Sequence, residues 1–203
     1  MHDVHATAPD AVGLFLLASE QSGYFTSAQA HDYGYSKQLL AHHAGTTRFQ
    51  RVRRGLYRLR DYPTSPREEV MAAWLAAGKE QAVVSHESAL DLLGLSDVVP
   101  SAIHLLVPRA RRWFRPPPGV TLHTTTYPLD PCEVVVRLGM RVTAPVRTIL
   151  DIAEVGTAPE HVILAVRQAG ERGMIVRGQL LQATQQRDQR VRHLIDQVLQ
   201  EDE

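Results

Sequence analysis

From Ser36 to Arg60 the chain carries seven basic residues, Lys37, Arg48, Arg51, Arg53, Arg54, Arg58 and Arg60, and no Asp or Glu. The composition as a whole hides this segment. The 203 residues hold 22 Lys+Arg against 22 Asp+Glu, a net charge of zero, with acid gathered elsewhere, as at Glu201, Asp202 and Glu203. A basic run alone fits a solvated face as well as a nucleic-acid contact, because charge speaks to non-specific binding and not to fold. What surrounds the run decides between them.

Short helices with clear punctuation precede it. Pro9-Asp10 opens an apolar stretch in which Val12, Phe15, Leu16 and Ser19 follow helical spacing, and Ser22-Gly23 closes it. Thr26 is a good N-cap for a second helix from Ser27 to about Asp32, stopped by Gly34. Ser36 caps a third, running to about Ala44 with Gly45 as terminator. Phe49, Val52, Leu56, Tyr57 and Leu59 suit strands, and Arg53-Arg54-Gly55 suits a tight hairpin whose glycine takes positive φ. Three helices and a basic hairpin in about sixty residues describe a winged helix-turn-helix.

The third helix then has two faces. Leu39, Leu40 and His43 turn inward, and Gln38, Ala41, His42 and Gly45 share the opposite stripe, with Lys37 beside them. Gln38 suits bidentate reading of adenine, and Ala41 leaves room for a thymine methyl. Ser36 and the helix N-terminus favour a phosphate. The hairpin arginines suit phosphates or a narrow minor groove. The expected DNA-binding set is Ser36, Lys37, Gln38, His42, Arg48, Arg51, Arg53, Arg54 and Arg58. Adjacent His42 and His43 point in different directions on a helix, so they read as surface plus packing, not as a metal pair.

Asp61-Tyr62-Pro63-Thr64-Ser65-Pro66 reads as a linker. It divides a winged helix-turn-helix at 1–62 from a mixed helix/strand domain at 67–203, and the fold class is α+β. In the second part, helices are expected at Pro66–Ala77, from Ser85 to Leu93-Gly94, at Ala144–Val155, and at about 159–171, 176–185 and 188–200. Strands are expected at Ala102–Val107 and Gly119–Thr125, with a hairpin at Glu133–Thr143 across Gly139. Arg109, Arg111, Arg112 and Arg115 form a second basic cluster around Trp113 and Phe114. It suits a second phosphate contact with stacking aromatics, a protein-binding surface, or a solvated loop.

Several chemistries find no support. One cysteine, Cys132, excludes an intrachain disulfide and a cysteine zinc cage. The apolar run Val12–Ala18 is far too short to span a bilayer, and no basic residue marks a secretory start, so a cytoplasmic location is expected. Ser85-His86-Glu87-Ser88 combines nucleophile and base types but reads as the capped first turn of a helix. There is no Walker A segment and no His-Glu-x-x-His, and no Asp-x-Asp follows Gly94-Leu95-Ser96-Asp97 to hold two metals. Arg147 and Asp151 read as an i,i+4 ion pair. No catalytic residue, cofactor or metal ligand is assigned.

Three segments of the first part resemble the N-terminal winged helix of AbiEi-type antitoxins: Gly23-Tyr24-Phe25-Thr26-Ser27-Ala28-Gln29-Ala30, Gly34-Tyr35-Ser36, and Arg51-Val52-Arg53-Arg54-Gly55-Leu56-Tyr57-Arg58. Beyond the linker, Val84 to Leu90 with Gly94-Leu95, His104 to Pro108, and Thr143 to Asp151 are similar to the family's second domain. The resemblance implies an autorepressor that binds inverted repeats in its own operon promoter. It further implies the antitoxin of a type IV pair, opposing a nucleotidyltransferase-like toxin without a stable complex, with antitoxicity residing in the second domain. The residues themselves speak only to DNA binding. An enzyme built on the second domain, or an RNA- or toxin-binding module, stays open at this level.

Overall fold

The computed structural model describes residues 8–46, 48–126 and 129–201. It is α+β and divides into two compact units, Met1–Gly78 and Lys79–Glu203.

In the first unit, helix α1 (Ala11–Glu20) is capped by Asp10, whose carboxylate accepts from Gly13 N at 2.8 Å. Strand β1 (Tyr24–Thr26) leads into α2 (Ser27–Asp32), and Thr26 and Gln29 form a reciprocal capping box. Helix α3 (Lys37–Gly45) starts at Ser36, whose hydroxyl accepts from Leu39 N at 3.2 Å. Strands β2 (Phe49–Arg53) and β3 (Leu56–Leu59) form the wing, and the sheet order is β1-β3-β2, antiparallel throughout. The core comprises Leu14, Ala18, Phe25, Ala30, Tyr35, Leu40, Phe49 and Tyr57. Phe25 stacks on Tyr57 and meets Phe49 edge-on, so β1 and the two wing strands share one aromatic centre.

Three features differ from the sequence expectation. Val12, Phe15 and Leu16 face solvent, while Leu14 and Ala18 face the core. An apolar stretch as uniform as Val-Gly-Leu-Phe-Leu-Leu-Ala marks no single face, and packing selects the stripe. Strand β1 is an addition, too short to show alternation. Helix α4 (Glu68–Ala77) groups with the first unit, so the division falls after Gly78 and not at the Pro63–Pro66 segment. The reason is local: α4 packs on β1 and β3, and Glu68 accepts from Arg58 at 3.1 Å and from Ser65 N at 3.3 Å.

The second unit is built on a mixed five-stranded sheet with order β6-β5-β4-β8-β7. Its strands are β4 (Val83–Val84), β5 (Ile103–Pro108), β6 (Val120–Thr125), β7 (Val134–Arg137) and β8 (Met140–Thr143). Strands β5 and β6 run parallel, as do β4 and β8. The β7–β8 hairpin turns through Leu138 and Gly139, both at positive φ, as a type I′ turn requires. Helices α5 (His86–Leu93) and α6 (Pro145–Val155) pack together, and α7 (Pro159–Glu171), α8 (Arg177–Thr184) and α9 (Gln189–Glu201) complete the unit around α6. Leu90, Leu105, Val142, Ile149, Ile152, Leu180 and Ile195 are buried in this unit. Among the described residues, no helix is long and apolar enough to cross a membrane.

Candidate nucleic-acid interface

The two faces of α3 separate cleanly. Leu40 is buried and Leu39 and His43 are half-buried, with His43 set edge-on to Tyr35 and Phe49. Burial, reinforced by the Arg48 and His42 charges, lowers the His43 pKa and favours its neutral form. Lys37, Gln38, Ala41, His42 and Gly45 are all exposed on the other face. Ser36 is exposed at the helix start, but its hydroxyl is engaged in the cap. A phosphate there would meet the free backbone N–H groups of the first turn.

The wing continues this surface. Arg48, Arg51 and Arg54 are exposed and Arg53 is half-buried. The strands join through Arg54 and Gly55, the glycine holding φ +78°, and Ser27 N donates to Gly55 O at 2.9 Å. That bond fixes the turn of the wing to the start of α2.

Arg58 departs from the expected set. It is 8% exposed, its guanidinium donates to Glu68 at 3.1 Å and to Pro63 O at 3.2 Å, and it lies over the Tyr24 ring. Central strand β3 points this side chain toward α4, so Arg58 joins elements within the unit and has no free face for DNA. Its place in the strand was legible, but the neighbour covering it was not.

In the second unit, Arg109, Arg112 and Arg115 are exposed, as is Trp113 at 78%. Arg112 lies over the Trp113 ring at 4.8 Å and Arg111 over Phe114 at 5.7 Å, while Arg111 also donates to Gln81. Arg147 and Asp151 form the expected i,i+4 pair at 2.7 Å, extended by Glu133, Arg187 and Glu154 into a part-buried network. Ser85 sits at the N-cap of α5 but makes no side-chain cap; its hydroxyl meets His86 Nδ1 at 2.9 Å instead. Ser85 is 0% exposed, which gives a nucleophile there no access to substrate. Sequence spacing also missed a cluster of His86, His104 and His123, which only the fold gathers.

Residues 14–60 match the family described as transcriptional regulator, AbiEi antitoxin. The first unit thus carries an AbiEi antitoxin-type regulator domain. The crystal structure of the RV2827C protein from Mycobacterium tuberculosis is similar over 90% of this chain and 74% of that one, with a TM-score of 0.57 and 15% identity, a likeness of fold. No curated protein matches the chain.

Proposed function

We propose that the chain is a sequence-specific DNA-binding autorepressor and the antitoxin of a type IV toxin–antitoxin pair. The observation that carries the DNA-binding half is the shared exposure of Lys37, Gln38, Ala41 and His42 on α3 with Arg48, Arg51 and Arg54 on the wing, in a segment without acid. Helix α3 enters the major groove, where Gln38 and His42 meet base edges. Arg51, Arg53 and Arg54 hold the flanking phosphates or minor groove. Arg109, Arg112 and Arg115, with Trp113 among them, supply a second phosphate contact. The target is the chain's own operon promoter at inverted repeats, the location is the cytoplasm, and the protein acts without catalysis.

The antitoxin half rests on the family match of the first unit and on the resemblance of the second. It pairs the chain functionally with a nucleotidyltransferase-like toxin, without a stable complex, and assigns antitoxicity to the second unit.

The deciding experiment is a salt titration on promoter DNA. Replacing Arg53 and Arg54 with Ala should weaken binding to every duplex and reduce the log–log salt slope by about two, roughly one for each phosphate no longer neutralised. Unchanged affinity and slope would remove the wing from the interface. For the antitoxin half, the intact chain should rescue cells from the toxin expressed from an unrelated promoter, and residues 1–78 alone should not. Failure of the intact chain to rescue leaves a plain repressor.

A further inference from the structure

Three histidines far apart in sequence meet inside the second unit. His104 and His123 lie on the neighbouring parallel strands β5 and β6, in a register that pairs Leu106 with His123 and so sets both histidines on one face. His86 opens α5 directly after β4, where Ser85 N bonds to His104 O at 3.0 Å. His86 also holds φ +53°, a left-handed backbone that is uncommon for a residue other than glycine and that clusters at functional positions.

Each histidine offers one ring nitrogen, and the three nitrogens lie within 4.8 Å of one another. His104 Nδ1 and His123 Nε2 are 2.9 Å apart, and the His86 ring lies over that of His123 with centroids 3.5 Å apart. Two nitrogens bound to a tetrahedral zinc at about 2.0–2.1 Å stand roughly 3.3 Å from each other. To hold one ion at that spacing, the stacked His86 and His123 rings must turn so that their ring planes converge on it.

We propose that His86, His104 and His123 form a binding site for a divalent first-row transition metal, zinc foremost. A donor set of imidazole nitrogens without oxygen selects ions of this class over magnesium or calcium. The Ser85 hydroxyl on His86 Nδ1 leaves Nε2 for the ion, the outer-shell arrangement that orients a ligating imidazole. The charges of Arg147 and Arg187, which act on His86, are taken up by Glu133, Asp151 and Glu154. An ion enters beside His104 and His123, which are half-buried while His86 is closed over. Three protein ligands leave one position of a tetrahedral ion for solvent or an incoming ligand.

The test uses the full-length protein, stripped with a chelator and titrated with zinc chloride by calorimetry near neutral pH, with cobalt as the optical probe. Expected are one equivalent bound per chain, the visible bands of tetrahedral cobalt, and joint shifts of the ring-nitrogen resonances of His86, His104 and His123. Ser85→Ala should lower affinity about 10–100-fold, and His123→Gln should lower it further. The exposed His31→Gln and His193→Gln controls should leave it unchanged. Absence of saturable binding in the unaltered chain overturns the proposal, and so does binding that leaves these three resonances unmoved.

Discussion

The two units place their charges in opposite ways. The first keeps Lys37, Arg48, Arg51 and Arg54 in solvent, packs an aromatic core beneath them, and buries one arginine, Arg58, against Glu68. The second draws Arg147, Asp151, Glu133 and Arg187 into a part-buried network and closes His86 beneath its strands and helices. An exposed charge is free to meet a partner and contributes little to folding. A buried charge is committed to its neighbours, and removing one of them strands the other. Function and stability are therefore separable by mutation in the first unit and entangled in the second.

The sharpest way to break that contrast is Arg147→Ala. It leaves Asp151, whose second carboxylate oxygen already has no hydrogen-bond partner, buried beside fewer cations. A loss of about 3–5 kcal/mol is expected in chemical denaturation. A loss under about 1 kcal/mol would place the network with ordinary surface pairs.

Acid should come next in size. In metal-free protein, His86 and His123 have folded-state pKa values near 2 and 4, depressed chiefly by burial. An unfolded histidine titrates near ~6.5. Below that pH the unfolded chain binds more protons than the folded one, so stability falls from about pH 6.5 toward about 4 and lower. Hydrogen exchange in β5 and β6 should accelerate across that window before exchange in β2 and β3. Loss of protection in the wing strands first would reverse the assignment.

Arg58→Ala tests the exception inside the first unit. It should destabilise that unit by about 1–3 kcal/mol, because Glu68 and Pro63 O lose their donor. For the same reason residues 1–62 alone should unfold more readily than residues 1–78. Equal thermal midpoints for the two fragments would detach α4 from the winged helix.

The smallest effect on folding is expected at Gln38→Ala, within about 0.5 kcal/mol, since Gln38 is exposed. Its effect on operator binding should be about 1–3 kcal/mol at one base position, and much less on random duplex. Equal losses on both would move Gln38 from base reading to phosphate binding.

The same contrast explains what could be read in the sequence. The caps at Thr26 and Ser36, the turn at Gly55 and the two faces of α3 depend on residues three or four apart, so they stand out along the chain. The α5–α9 helices and the β7–β8 hairpin do likewise. Strand β1 exists only because β3 pairs with it, and the inward turn of Arg58 exists only because α4 covers it. Leu14 and Ala18 were hidden among equally apolar neighbours. The histidine cluster needs a strand register, a helix start and a left-handed residue to coincide, and no spacing in the sequence encodes that.

The bond from Ser27 N to Gly55 O has a kinetic consequence. It ties the turn of the wing to the start of α2 in the free protein, so this part of the wing is already ordered before any duplex arrives. Ordering a side chain at an interface costs about 0.5–1.5 kcal/mol, and a loop that must be organised on binding adds to that and slows docking. Here the backbone share of that cost is met during folding. Differences in lifetime among complexes with related operators should then follow the contacts of individual side chains, with the rate of encounter nearly constant.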